Sequence, residues 1–218
     1  MMPNFGRKHV PDKRDTQFPM HRAVPRRTKR SSRHWDDKHW WGNQGKTPQC
    51  VGYAWAHWLE DAPVVHKRVN PPLLLPKLIY RGAQRVDKWG GTNYKGTNIR
   101  AGAKVLQMLG LIDEYHWART LDDVIAAVLD VGPVVVGTDW YVGMTKPKNG
   151  RVRLTGKKQG EHAYLLNGVN LRTKRFRIKN SLGRGWGMNG RAYISFDDFE
   201  RLLSKRNGEA CLATELPV

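Results

Sequence analysis

Apolar residues recur at three- and four-residue spacing from Cys50 to about Glu60, so that Val51, Ala54, Trp55, Trp58 and Leu59 share one helical stripe. Pro71 and Pro72 open a second helical stretch that turns Leu75, Leu78 and Ile79 inward. Ile99 to Leu109 reads as a third helix closed by Gly110, and Leu121 to Leu129 as a fourth ending near Gly132. A glycine-rich loop, DKWGGTNYKGT over 87–97, separates the second from the third. After Pro133 the spacing changes. VVVG (134–137), RVRL (151–154), HAYLLNGV (162–169), RFRIKNS (175–181) and RAYISF (191–196) read as strands between Gly, Asn and Lys turns. Helices first and strands afterwards predict an α+β fold of two lobes, helical over about 35–130 and antiparallel β over about 131–218. Residues 1–34 hold five prolines or glycines and no sustained apolar period, which predicts an extended N-terminal arm.

A chain of 218 residues accommodates one such domain with a core able to stand unaided. No apolar run approaches the roughly 20 residues of a membrane span. The opening MMPNFGRKHVPDKRD lacks the apolar stretch of a secretory signal, so a cytoplasmic or virion-associated location is expected. Two cysteines, Cys50 and Cys211, argue against a disulfide-stapled scaffold, and Cys211 reads as a packed or free thiol. The formal charge of +19 is concentrated. Residues 1–33 carry ten Lys/Arg against two Asp, and residues 145–179 carry eleven against Glu161. Such a field favours an anionic partner, nucleic acid or a cell-wall polymer, unless it serves only as a solvated surface.

Three positions carry candidate chemistry. Cys50 begins its helix, where unpaired backbone N–H groups and the helix dipole favour a thiolate. His162 lies on an apolar strand that would hold an imidazole rigidly. Alternation in RFRIKN puts Phe176, Ile178 and Asn180 on a core-facing side and Arg175, Arg177 and Lys179 on the other. A buried Asn180 needs partners, and an imidazole N–H is one. Other candidates have plainer readings. His34, Asp36, Asp37 and His39 suit solvated turns better than a metal site, and no cofactor is expected. His57, seven residues beyond Cys50, is about 10 Å along the helix and out of reach of that thiol. Trp35, Trp40 and Trp41 read as anchors of the arm rather than base-stacking platforms.

Taken in order, Asn43-Gln44-Gly45, Gln49-Cys50, Glu161-His162-Ala163 and Lys179-Asn180-Ser181-Leu182-Gly183 with Trp186-Gly187 resemble the papain-like cysteine peptidases, in a bacterial or phage-type form. Gly96-Thr97-Asn98 resembles that family's glycine loop, Gly132-Pro133-Val134 its G-P-V strand, and Pro11-Asp12-Lys13-Arg14-Asp15 an N-terminal element of bacterial and phage members. The resemblance spans roughly 11–196 and implies a cleft between the lobes in which a peptide or protein substrate is hydrolysed. It implies Cys50 as nucleophile, His162 as its acid–base partner, Asn180 as the residue that orients His162, and Gln44 as oxyanion donor. Gly96 and Thr97 would align substrate backbone. Three departures stand out: Thr47 in place of a disulfide cysteine, Val51 in place of an aromatic, and Leu182 in place of the Trp that shields the His–Asn bond. A smaller cover predicts a wetter, weaker bond. No propeptide-length extension precedes Pro11, so control by an N-terminal inhibitory domain is not expected. The alternative is a catalytically weak or inactive module of this fold that binds an anionic partner, as a virion structural protein for example.

Overall fold

The apolar stripe at Cys50 becomes α1 (Cys50–Glu60), buried on almost every side, as befits a helix at the centre of a domain. It is followed by α2 (Leu75–Val86) and α3 (Ile99–Met108), which cover it. The structure, a computed structural model, describes residues 4–24, 29–35, 42–61, 75–91, 93–205 and 207–215. Asp36, Asp37, His39, Trp40, Trp41, Pro71 and Pro72 therefore lie outside the described residues. On α2, Leu75 and Ile79 are buried as expected, but Leu78 is 64% exposed. The inward face runs Leu75, Ile79, Ala83 with Pro76 and Tyr80, and Leu78 shares the solvent side with Lys77 and Arg81.

Among the described residues the sheet comprises β1 (Ser32–His34), β2 (Tyr115–Trp117), β3 (Val134–Tyr141), β4 (Lys158–Asn170), β5 (Arg175–Lys179), β6 (Arg191–Ser195) and β7 (Glu209–Ala213). The order is β2-β7-β3-β4-β5-β6, with β1 on β4 and every pair antiparallel. Three further helices complete it: α4 (Leu121–Asp130), α5 (Val142–Thr145) and α6 (Phe196–Lys205). A Thr120/Asp123 capping box starts α4, whose Val124, Val128 and Leu129 join Val136, Tyr164 and Phe176 in one core. A second core forms around α1, where Trp55 and Trp58 meet Ile99, Val135 and Leu165. The two indoles also bond across it, Trp55 to the Ile99 carbonyl and Trp58 to the Pro133 carbonyl, both at 3.1 Å. The arm is anchored by Trp35, 4% exposed, whose indole donates to Val128 O at 2.8 Å.

Two strand expectations are corrected. RVRL (151–154) is not a strand: Asn149 and Gly150 adopt left-handed φ values of 50° and 70°, and Arg151 makes only isolated bridges to Lys148 and Tyr193. On β5 the basic residues do not form a free ribbon. Lys179 is fully buried and its ammonium meets Asp61 at 2.6 Å, while Arg177 donates to Asn167 Oδ1 and Trp35 O. Strand alternation gave the correct face for Phe176 and Ile178, but the opposite face of β5 also packs against protein, at the end of α1. Asn167 Nδ2 adds a second donor to Asp61 at 2.8 Å.

Breaking a buried ion pair leaves an unpaired charge in the interior, so Lys179→Met should lower unfolding free energy by about 3–5 kcal/mol. Lys179→Met combined with Asp61→Leu should recover much of that loss. Guanidinium unfolding of the three proteins checks this; strictly additive losses would show that the two charges do not compensate each other.

Candidate active site

His162 is hydrogen-bonded to Asn180, Gln44 to Ser181 beside Asn180, and the Cys50 thiol lies against Ala163 beside His162. Cys50 is the first residue of α1, which has no side-chain N-cap, so the amides of the first turn remain available to the site. Its thiol faces the backbone N–H groups of Ala163, Gly6 and Val51. Burial nevertheless dominates and pushes the thiol above its ordinary range. His162 on β4 is also wholly buried, which lowers its pKa to about 4 despite the opposing hydrogen bond to Asn180. This covering shifts both side chains towards their neutral forms, away from the thiolate and imidazolium that the resemblance implies.

His162 Nε2 donates to Asn180 Oδ1 at 2.8 Å, and the same oxygen accepts from Ser181 N at 2.8 Å. Two donors converging on one atom fix the amide orientation and the imidazole tautomer. His162 Nδ1 is thereby left as the basic nitrogen, and it has no hydrogen-bond partner among the described residues. The shielding expected to be lost with Leu182 comes from elsewhere. Trp140 packs edge-on against His162 at 4.7 Å between centroids, Phe5 lies 4.9 Å from it, and Trp186 backs Trp140 at 6.2 Å. His162 and Asn180 are both 0% exposed, so their bond is dry rather than wet.

The cover over Cys50 is the chain's own N-terminal strap, residues 4–9. Gln44 Nε2 donates to the Asn4 carbonyl at 3.2 Å and to Thr47 O at 2.9 Å, while Ser181 Oγ fixes Gln44 Oε1 at 2.6 Å. Thr97 N donates to Gly6 O and Lys8 N to Thr97 O, both at 2.8 Å, a parallel bridge centred on Arg7. Arg7 N reaches Glu161 O at 3.3 Å from the opposite wall. Thr97 thus bonds the backbone of the strap, while Gly96 is bonded to Tyr80 Oη and Gln84 Nε2 and only lies close to the strap. Gly96 has φ +92°, and a Cβ there would stand 2.2 Å from Gly6 O. The strap meets Cys50 with the amide of Gly6. No inhibitory domain is expected before Pro11; residues 4–9 nonetheless lie over Cys50.

Sequence reasoning missed the strap, Trp140, and the Lys179–Asp61 pair that lies one residue before Asn180. The run Asn4-Phe5-Gly6-Arg7 offers no signal by itself, since its partners lie from 40 to 202 residues away. Beyond Gln44 the cleft continues as an open groove of about 660 Å³ lined by Asn43, Lys46, Pro147, Leu182 and Trp186.

No protein-family profile matches the chain. A peptidase C1-like protein of Acanthamoeba polyphaga mimivirus is 24% identical over 68% of this chain, which spans 61% of that protein's length. Among solved structures, xylellain, a cysteine protease from Xylella fastidiosa, superposes with a TM-score of 0.74 at 18% identity, covering 100% of this chain and 98% of that one. Digestive procathepsin L 3 of Tenebrio molitor gives 0.64 at 12% identity over 97% and 74% of the two chains. Bromelain from Ananas comosus gives 0.63 at 15% identity over 86% and 100%. The fold is the two-lobed papain-like α+β fold.

Strap seating is linked to pH. Burial lowers the pKa of His162 to about 4 from an ordinary 6.5, and burial with the nearby Arg7 also lowers that of His9. A lowered histidine pKa means that the closed state binds fewer protons there. An open-state His162 that takes the Cys50 proton leaves the count unchanged, so His9 carries the link, favouring the closed state above about 6.5 and less as pH falls. Hydrogen exchange at Lys8 N and Thr97 N, corrected for intrinsic rate, should therefore lose protection by less than about tenfold between pH 7 and 5.5. Protection that is constant or grows on acidification would contradict the linkage.

Proposed function

We propose that the chain is a thiol-dependent peptidase or amide hydrolase with a Cys50–His162–Asn180 triad, held shut by its own strap. The observation that carries this reading is the seating of a peptide carbonyl, that of Asn4, on the Gln44 amide beside a buried Cys50. When the strap leaves, water and the helix N-terminus stabilise the thiolate, and His162 Nδ1 takes its proton. The Cys50 sulfur then attacks the substrate carbonyl carbon. The oxyanion takes hydrogen bonds from Gln44 Nε2 and the Cys50 amide, and His162 returns its proton to the leaving amine. Water, deprotonated by His162, cleaves the thioester to regenerate the thiol. Asn180 keeps the imidazole in the orientation and tautomer these steps require.

On a fluorogenic peptide library, Cys50→Ala should abolish hydrolysis while the far-UV spectrum and unfolding midpoint change little. Gln44→Ala should lower kcat by about 10²–10³, the usual cost of an oxyanion donor. Wild-type turnover by the Cys50→Ala protein would remove the proposed nucleophile.

A second role, attachment to a polyanion, has its own support. Lys146, Lys148, Arg151 and Arg153 line a hollow of about 470 Å³ on the face of the β lobe. With Arg177 and Lys179 engaged inside the protein, this cluster replaces the β5 ribbon as the site for phosphates, whether of nucleic acid or of a wall polymer. Each phosphate neutralised on a DNA duplex contributes about −0.9 to the log–log salt slope. Arg151→Gln with Arg153→Gln should flatten the slope for a duplex oligonucleotide by about one to two units. An unchanged slope, or no binding at low salt, would leave these charges to solubility alone.

A further inference from the structure

The three most exposed large apolar side chains among the described residues are neighbours. Met108 is 75% exposed, Leu78 64% and Leu109 62%. They meet because α2 and α3 run antiparallel. Val86, the last residue of α2, lines one hollow with Ala101 and Lys104 of α3. One turn back on α2, a Cβ on Gly82 would stand 3.0 Å from Val105 Cγ2, one turn further along α3. The next turn of each helix brings Leu78 to Met108 and Leu109. Isolated exposed leucines are ordinary, but three at one corner form a patch that calls for a partner.

The corner is built to stand out from the body. Gly110 turns the chain at φ +64°, and a Cβ there would meet nothing within 4 Å. Its N–H groups are nonetheless bonded within the helix end: Leu109 N to Val105 O and Gly110 N to Gln107 O at 3.0 Å, Leu111 N to Leu106 O at 2.9 Å. Gln107 Nε2 holds the following turn through the Asp113 carbonyl at 2.8 Å. A projecting turn whose donors are already bonded leaves water at a much smaller cost than one with free N–H groups.

The surround is cationic. α2 exposes Lys77, Arg81 and Arg85 at four-residue spacing, α3 adds half-buried Lys104, and neither helix contains Asp or Glu. The first carboxylates past the corner are Asp113 and Glu114, and Glu114 faces His116 at 3.1 Å. A second copy seated here about a two-fold axis would bring these cations together, which disfavours self-association. A lipid surface with anionic headgroups meets both demands, apolar chains for leucine and methionine and phosphates for the cations.

We propose that the corner formed by Leu78, Met108 and Leu109 docks on an anionic lipid bilayer, with Lys77, Arg81 and Lys104 against the headgroups. The contact is peripheral, since among the described residues no helix is long and apolar enough to cross a membrane. Thr97, which bonds the strap, lies at the other end of α3, about 15 Å along its axis, so docking leaves the strap and the cleft free. The proposal does not depend on the chemistry of Cys50.

The full chain is sedimented with extruded vesicles of phosphatidylcholine, alone or with about 30 mol% phosphatidylglycerol, in about 0.15 M salt. The wild-type protein should pellet with the vesicles that carry phosphatidylglycerol and stay in solution with the others. Leu78→Gln, Met108→Gln and Leu109→Gln together change only exposed positions and should lower the partition coefficient by about tenfold or more. Lys77→Gln with Arg81→Gln should lower it by a similar factor, whereas Arg151→Gln with Arg153→Gln on the β lobe should change it far less. No pelleting with the anionic vesicles would overturn the proposal. So would pelleting that survives the three Gln substitutions, which leaves the attraction to net charge alone. A wild-type dimer in light scattering that the same three substitutions dissociate would give the corner to a second copy and overturn it as well.

Discussion

A buried ion pair between Lys179 and Asp61 ties the elements that carry the candidate site to one another. Asp61 ends the helix that Cys50 begins, and Lys179 directly precedes Asn180. The helix is rigid, so fixing its C-terminus on β5 also sets how far its N-terminus stands from the imidazole held by Asn180. Both charges are wholly desolvated, and such a pair is tolerable only when the remaining hydrogen-bonding capacity is also met. Asn167 meets part of it, and Arg177 in turn holds Asn167. The geometry of the cleft is thus maintained from behind, by polar groups that never touch a substrate.

The strap acts on the same site from the front, by changing its solvent. Removing water raises the thiol and lowers the imidazole, so each side chain moves towards neutrality. On the peptidase reading proposed above, Cys50 is therefore held back electrostatically as well as sterically. The strap is held by the parallel backbone bridge at Thr97, the Asn4 carbonyl on Gln44, Arg7 N on Glu161 O, the Phe5 ring against His162 and Trp140, and the Arg7 guanidinium.

Much of this was legible in the residues. The three- and four-residue stripe from Val51 to Leu59 marked α1, and alternation in RFRIK marked the core face carrying Phe176 and Ile178. The neighbourhoods of Cys50, His162 and Asn180 marked the cleft before any geometry was known. What escaped depends on contacts between distant parts of the chain. Periodicity gives a side chain's direction along its own element but not what stands opposite, so Lys179 read as solvent-facing although α1 ends there. Leu182 read as a gap in the shield because Trp140 belongs to another strand. β2 and β7 are short strands whose pairing carries more information than their composition. The strap has no pattern of its own: Arg7 finds its carboxylates on β4 and β7, across almost the whole length of the chain.

The most direct measurement is alkylation of Cys50 by iodoacetamide at pH 6, followed by peptide mass mapping, with buried Cys211 as the internal reference. The side chain introduced by Gly6→Val would clash with Pro48 O and so unseats the strap. A neutral thiol covered by the strap, activated only when the strap leaves, predicts slow labelling of the wild-type protein. It predicts labelling of Cys50 faster by about tenfold or more in the Gly6→Val protein, at a pH where an ordinary thiol is almost entirely protonated. Equal rates in the two proteins, or a Cys50 that reacts only as pH approaches 8.5, would contradict both the latch and the activated nucleophile beneath it.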